Sequence, residues 1–243
     1  MLRMLADLVL PVPCAACGGV DGPLCPVCAR HALHTEPMFV PAEVRPGGDA
    51  PAVCVAAGPY RGALRSALIA YKERGRRTLA RPLGGRLAAA VEVAAVRGAR
   101  LLLVPVPSSA AAIRERGGDH VVRLARFAAA TLRQRGLRAD TATLLTMCRV
   151  PSDSVGLGAA ARRANISGAF APASHAGRRM RGPHGSLRGR TTIVLVDDIV
   201  TTGATLAESY RAVADIGLPV AGAAVVAATP PRSATVYAVR DVK

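Results

Sequence analysis

VLVDDIVTTGATL, residues 194–206, decides how the chain is read. The run TTIVLVD at 191–197 is apolar enough for a buried strand, and it ends in two adjacent carboxylates, Asp197 and Asp198. A Thr/Gly turn follows, and LAESYRAVADIG at 206–217 then reads as a helix ended by Gly217 and Pro219. In open α/β sheets, ligands sit beyond the carboxyl ends of the strands. The turn offers successive backbone N–H groups, the hydroxyls of Thr201, Thr202 and Thr205, and a helix N-terminus, while Gly203 permits close approach. These groups suit a phosphate dianion. The two carboxylates would repel a phosphate but accept hydrogen bonds from a ribose diol. The segment therefore asks for a sugar with a phosphate on one side and hydroxyls on the other. A magnesium site built on the acids alone is the competing reading, and the TTGAT turn argues against it. The loop pattern G-x4-G-K-[ST] is absent.

Outward from this segment, VCVAAGPY at 53–60 begins as a strand and turns at Gly58-Pro59. RGALRSALIAYKERGRR follows, with Leu64, Ala67, Leu68 and Tyr71 at helical spacing. Residues 79–97 read as a second helix, with Pro82 near its start, where proline is tolerated. LLLVPVP at 101–107 is a short buried strand, 110–135 a helical region broken at Gly117-Gly118, and VAGAAVVAAT at 220–229 another apolar strand. Strands alternating with helices predict an α/β fold, a mostly parallel sheet flanked by helices. Residues 149–190, rich in Gly, Arg, Ser and Pro, read as an extended or mobile segment.

Four cysteines, Cys14, Cys17, Cys25 and Cys28, follow the pattern C-x2-C-x7-C-x2-C. A two-residue gap lets both thiolates of a pair reach one tetrahedral ion, and two such pairs complete a closed site for structural Zn2+; a disulfide pair or a redox CxxC is the competing reading. The Gly/Pro-rich segment around them has little core of its own, and a metal would supply the missing folding energy. The chain thus divides into a zinc module at 1–30, a linker at 31–51 and a main domain at 52–243. Cys54 and Cys148 read as buried small hydrophobes. The opening MLRMLADLVLPVPC resembles a short signal sequence, but Asp7, Pro11 and Pro13 interrupt it, and it reads instead as a short element packed on the domain. No apolar run approaches the roughly 18–20 residues of a membrane span, which leads us to expect a cytoplasmic protein. Residues 61–190 hold 25 of the 32 basic side chains against 6 acids, a field that attracts nucleic acid or phosphorylated small molecules. A biased genome composition would produce the same arginine content.

VLVDDIVTTGAT resembles the phosphoribosyl pyrophosphate (PRPP) motif of type I phosphoribosyltransferases. The chain as a whole resembles the ComF family of competence-associated, phosphoribosyltransferase-like proteins. The likeness runs through the four-cysteine module, YRGALRSALIAYKERGRR, LLVPVPSS, RERGGDH, RRANISGAF and the Asp-Asp motif, in that order. The resemblance implies that Asp197 and Asp198 hold the ribose hydroxyls and serve catalysis, and that Thr201, Thr202, Gly203, Ala204 and Thr205 cradle the 5′-phosphate. It implies that Val106, Pro107 and Ser108 form the loop that contacts pyrophosphate, with Arg114 and Arg116 neutralising charge or merely solvated on a helix surface. Lys72 is a weaker candidate for the same task. Arg162, Arg163 and Asn165 would face substrate or partner near a hood over the site, unless that loop is only stapled by Asn165 and Phe170. Mg2+ would accompany PRPP, and the acceptor would be an unidentified base or amine.

The chain departs from the family pattern at two places. Where family members carry an RG-aromatic-Asn-Gln run, it has Arg116-Gly117-Gly118-Asp119-His120, and where they show a Gln it reads Ser152-Asp153-Ser154. Thr201 stands where hypoxanthine-type enzymes place a base-serving Asp. Three functions follow from the resemblance and the charge: a phosphoribosyltransferase, a PRPP- or nucleotide-binding module that regulates or assists a DNA-uptake or repair helicase, with single-stranded DNA as a further partner, or a nucleic-acid-binding protein with a vestigial sugar site.

Overall fold

The computed structural model describes residues 12–41, 53–95, 98–151, 159–174, 176 and 191–229. The strands are β1 Met38–Val40, β2 Val53–Ala56, β3 Arg100–Pro105, β4 Ala139–Thr141, β5 Leu145–Met147, β6 Phe170–Pro172, β7 Thr191–Val200 and β8 Val220–Ala228. Six of them form one sheet in the order β1-β2-β8-β7-β3-β4, and β5 pairs antiparallel with β6 apart from it. Only β1 runs against its neighbour in the large sheet, pairing Met38 with Ala56 and Val40 with Cys54. The mostly parallel α/β sheet is therefore present as expected. β1, β4, β5 and β6 went unread because three residues are too few to display an alternation, and β6 with the helix Ala159–Ile166 lies inside the segment 149–190 read as extended or mobile.

Among the described residues seven α-helices connect or flank these strands: α1 Pro26–Leu33, α2 Gly62–Lys72, α3 Ala80–Ala94, α4 Ala110–Glu115, α5 His120–Gln134, α6 Ala159–Ile166 and α7 Ala204–Ala214. Alternate strand residues feed two cores. Leu101, Leu103, Val194 and Val196 pack in the same cluster as α2, α3 and α5. Leu102, Val104, Leu195 and Val225 pack with α7 and the β5–β6 pair. The Gly-Gly break is real: Gly117 and Gly118 take φ values of 59° and 136°. Asp119 then caps α5, its Oδ1 accepting the Val121 and Val122 N–H groups at 2.9 and 3.1 Å.

Helices α3 and α5 meet where α3 has no side chain. A Cβ at Gly84 would overlap the Phe127 Cβ and lie 3.0 Å from the Leu124 carbonyl oxygen. Backbone cannot yield as a flexible side-chain tip can. Gly84→Ala is expected to lower stability by about 1–3 kcal/mol despite alanine's better helix propensity, read as a reduced urea midpoint at unchanged m-value.

The N-terminal segment is tied to the domain by arginines. Arg76 donates to the Pro13 carbonyl. The buried Arg86 guanidinium donates to the Thr35 carbonyl at 2.6 Å, to Thr35 Oγ1 at 2.8 Å and to the Ala57 carbonyl. Cys54 is buried as expected, but Cys148 is exposed, its thiol lying against the Gly168 and Ala169 carbonyls. Among the described residues no helix is long and apolar enough to cross a membrane. The readings placed on residues 1–11, on Ser152-Asp153-Ser154 and on 177–190 lie outside the described residues.

Candidate functional site

Strand order places a crevice between β3 and β7. The chain leaves β3 through α4 and α5 toward β4, and leaves β7 through α7 toward β8 on the opposite side. The two loops diverge, and a ligand can enter between them. β7 does not end at the acids as the sequence suggested. It continues to Val200, with Asp197 opposite Val225 and Val200 opposite Ala228, whereas its pairing with β3 stops at Val196. A strand ladder is a backbone property, so charged side chains can stay in register with one neighbour while rising clear of the other.

Into this crevice opens a cleft of about 280 Å³, lined by Asp197, Asp198, Val106, Pro107, Ser108, Arg116, Thr205 and Lys72 from the sequence reading, together with His120. Asp198 is 3% exposed. Its Oδ2 faces Lys72 Nζ at 2.9 Å and His120 Nε2 at 3.0 Å, and its Oδ1 accepts the Ile199 N–H at 2.7 Å. Burial pushes this carboxyl up, but the His120 hydrogen bond and the Lys72 charge outweigh it and hold it well below the ordinary range. The carboxylate is therefore ionised, and Nε2 is the protonated nitrogen of His120. Half-buried Asp197 goes the other way: burial first, then the neighbouring Asp198 charge, raise it well above the usual carboxylate value. Burial lowers the Lys72 ammonium, and Asp198 more than reverses that. Arg116 is tied to the same residue through its main chain, its Nε donating to the Lys72 backbone carbonyl at 3.1 Å.

The other candidates are placed less centrally. Arg114 is exposed and does not line the cleft. Two helical residues apart, it points about 200° away from Arg116. Thr201 is exposed and Thr202 half-buried, while Gly203 holds φ 79° at the start of α7. The first turn of α7 contains no acidic residue, and its first amides have no intrahelical acceptor. The Ala204 N–H turns back only to Thr202 Oγ1 at 3.5 Å. Phe170 is fully buried and fastens β6 to α7, since Glu208 Oε1 accepts its N–H at 3.4 Å and Arg211 donates to its carbonyl at 2.9 Å. Asn165 accepts from Arg149 through its carbonyl at 2.8 Å, and Arg163 is exposed.

No family model matches the chain, and no curated protein matches it either.

His120 is the functional residue that sequence reading missed. It closes the run Arg116-Gly117-Gly118-Asp119-His120, and its imidazole N–H can donate to Asp198. The larger cavity of about 760 Å³ lies elsewhere, between the cysteine segment and the start of α2, and is lined by His31, Arg61 and Arg65. We assign the site to the smaller cleft because acids and cations converge there.

The four cysteines form a second centre. Cys14, Cys17, Cys25 and Cys28 bring their sulfurs within 4.8 Å of one another. A tetrahedral zinc ion with 2.3 Å bonds requires S···S separations of about 3.8 Å, and Cys17 and Cys25 stand 3.7 Å apart. Burial raises the Cys14 thiol, but N–H groups of Cys17, Cys25 and Ala16 bring it down to about 6. The hydrogen bond to Cys25, then burial, push Cys28 up to about 12. The cluster can hold a metal ion such as zinc.

Proposed function

We propose that the chain is a PRPP-binding protein of the type I phosphoribosyltransferase kind, similar to the ComF family, that transfers a 5-phosphoribosyl group to a nitrogenous acceptor, with a structural zinc in its N-terminal module. One observation carries the reading: paired acids and two cations share one cleft at the sheet's switch point, beside an acid-free helix N-terminus. The α7 amides and Thr205 receive the 5′-phosphate. Lys72 and Arg116 stand where a diphosphate would lie. Transfer breaks the bond between C1′ and the diphosphate oxygen, which leaves with the electron pair. The acceptor nitrogen then bonds to C1′ and gives up its proton to solvent. The two cations stabilise the departing charge, which grows in the transition state.

Charge balance supports a magnesium requirement. With both acids ionised, Asp197 and Asp198 cancel the charges of Lys72 and Arg116, and the cleft alone then offers a diphosphate no net attraction. Mg2+ bound with PRPP would supply that charge. Calorimetry is expected to show PRPP binding with a micromolar Kd, about −8 kcal/mol, in the presence of MgCl2, and at least tenfold weaker binding without it. Absence of binding with MgCl2 present would end the proposal.

Exposed Thr201 favours a second reading, because no carboxylate stands there to serve a base. On that reading the chain is a non-catalytic PRPP- or nucleotide-binding accessory of DNA-uptake or DNA-processing machinery, in contact with single-stranded DNA. Pyrophosphate release across a panel of heterocycles and amines decides between them: release with any acceptor favours the transferase, while PRPP binding without release favours the accessory role.

A further inference from the structure

The two acids of the cleft are not equivalent. An ionised carboxylate offers about four lone-pair positions. Asp198 has three of them filled by strong donors: the Ile199 N–H on Oδ1, and both Lys72 Nζ and His120 Nε2 on Oδ2. Asp197 accepts the Asp198 N–H at 2.8 Å on Oδ1 and otherwise meets only the Asp198 carboxyl, with no cation within ion-pair distance among the described residues. Asp197 is also the more exposed of the two. For a sugar hydroxyl to take Oδ2 of Asp198, it must displace Lys72 or His120 from a buried acid, and the one position left on Oδ1 belongs to a side chain only 5% exposed.

Lys72 is suited to what Asp198 does with it. Its side chain is 29% exposed and lines the cleft. One of its three N–H donors is committed to Asp198, and two remain for a ligand. Arg116 is attached to the Lys72 carbonyl and lines the same wall, so the two cations are held as a pair. His120 anchors the arrangement from below: it is 5% exposed, and its carbonyl is bound by Tyr71, the residue next to Lys72, at 2.7 Å.

Resting on the sugar-phosphate reading above, we propose that Asp198 is a positioning residue and not a sugar ligand: with His120 it fixes the Lys72 ammonium beside Arg116 to receive a diphosphate, and the sugar hydroxyls go to Asp197. The paired acids thus divide the ligand between them, one acting directly on the pentose and one through a cation on its leaving group.

The sequence makes the test simple, because Lys72 and Lys243 are the only lysines. Protein labelled with 13C-lysine gives two side-chain signals, assigned with Lys72→Arg. Sodium pyrophosphate with MgCl2 is expected to shift the Lys72 signal saturably. Ribose 5-phosphate with MgCl2, at saturation by calorimetry, is expected to leave it unmoved. Asp197→Asn should weaken ribose 5-phosphate at least tenfold, while sodium pyrophosphate with MgCl2 still shifts the Lys72 signal saturably. A shift of Lys72 by ribose 5-phosphate overturns the division of roles, and so does undiminished ribose 5-phosphate affinity in Asp197→Asn. If neither probe binds the unaltered protein, the sugar-phosphate reading itself falls and takes this inference with it.

Discussion

Cys25→Ser is expected to lose its metal and the order of residues 12–35 together. Within that stretch only Cys14, Cys25 and Ala32 are buried, which is far too little apolar surface to offset the chain entropy of ordering it. Zinc binding to small cysteine modules contributes about 10–16 kcal/mol, and with one of the four sulfurs gone most of that is lost. The damage should reach the main domain. Two of the three acceptors of the buried Arg86 guanidinium come from Thr35. A loosened Thr35 leaves a buried charge underpaired, at a cost on the order of 2–3 kcal/mol. Elemental analysis should find one zinc per chain in the unaltered protein and none in the variant. Limited proteolysis should cut within 12–35, and Tm should fall. A variant that keeps a full equivalent of zinc would show that the four sulfurs are not its ligands.

Much of this architecture was legible because parallel strands buried on both faces leave a strong mark. Residues 191–197, 101–107 and 220–229 are nearly unbroken apolar runs, and each became a central strand. What failed was the extent of β7. Two adjacent acids read as the end of a strand, yet their backbone still pairs with β8, because the sheet has already lost β3 on the other side. Of the cleft, the Asp-Asp pair, residues 106–108 and Arg116 converge, but Arg114 does not, since two residues along a helix reverse a side chain's direction. Lys72 and His120 were harder to read. They reach Asp198 from 126 and 78 positions away, and no local pattern encodes a contact of that range. Tyr71 connects them, and its hydrogen bond to the His120 carbonyl is equally long-range.

The unequal environments of the acids lead to a prediction in which stability and binding part company. Asp197 carries a folded-state pKa above its unfolded one, raised by burial and by Asp198. Its ionised form therefore costs stability at neutral pH, and that cost disappears as pH falls through the raised value. Asp197→Asn cannot ionise, so it should raise Tm at pH 7 and lose the advantage in acid. Asp198 is the reverse case, held low by His120 and Lys72 against the opposing effect of burial. It contributes stability at every pH above the ordinary aspartate value of about 4, and the contribution is lost as pH falls below that toward its lower folded value. Asp198→Asn leaves Lys72 and His120 facing a neutral amide. The loss should be about 2–3 kcal/mol at pH 7, below the 3–5 typical of a broken buried pair because Lys72 is 29% open to solvent. Below pH 4 the variant and the parent should converge. PRPP binding should separate from both trends. Asp197→Asn, the more stable protein, should bind PRPP with Mg2+ ten- to hundredfold more weakly, the value of about 1.5–3 kcal/mol for charge-assisted hydrogen bonds. A carboxylate that weakens the fold is best explained by what it holds, so an Asp197→Asn protein that gained stability and kept its affinity would leave that acid without a purpose in the cleft.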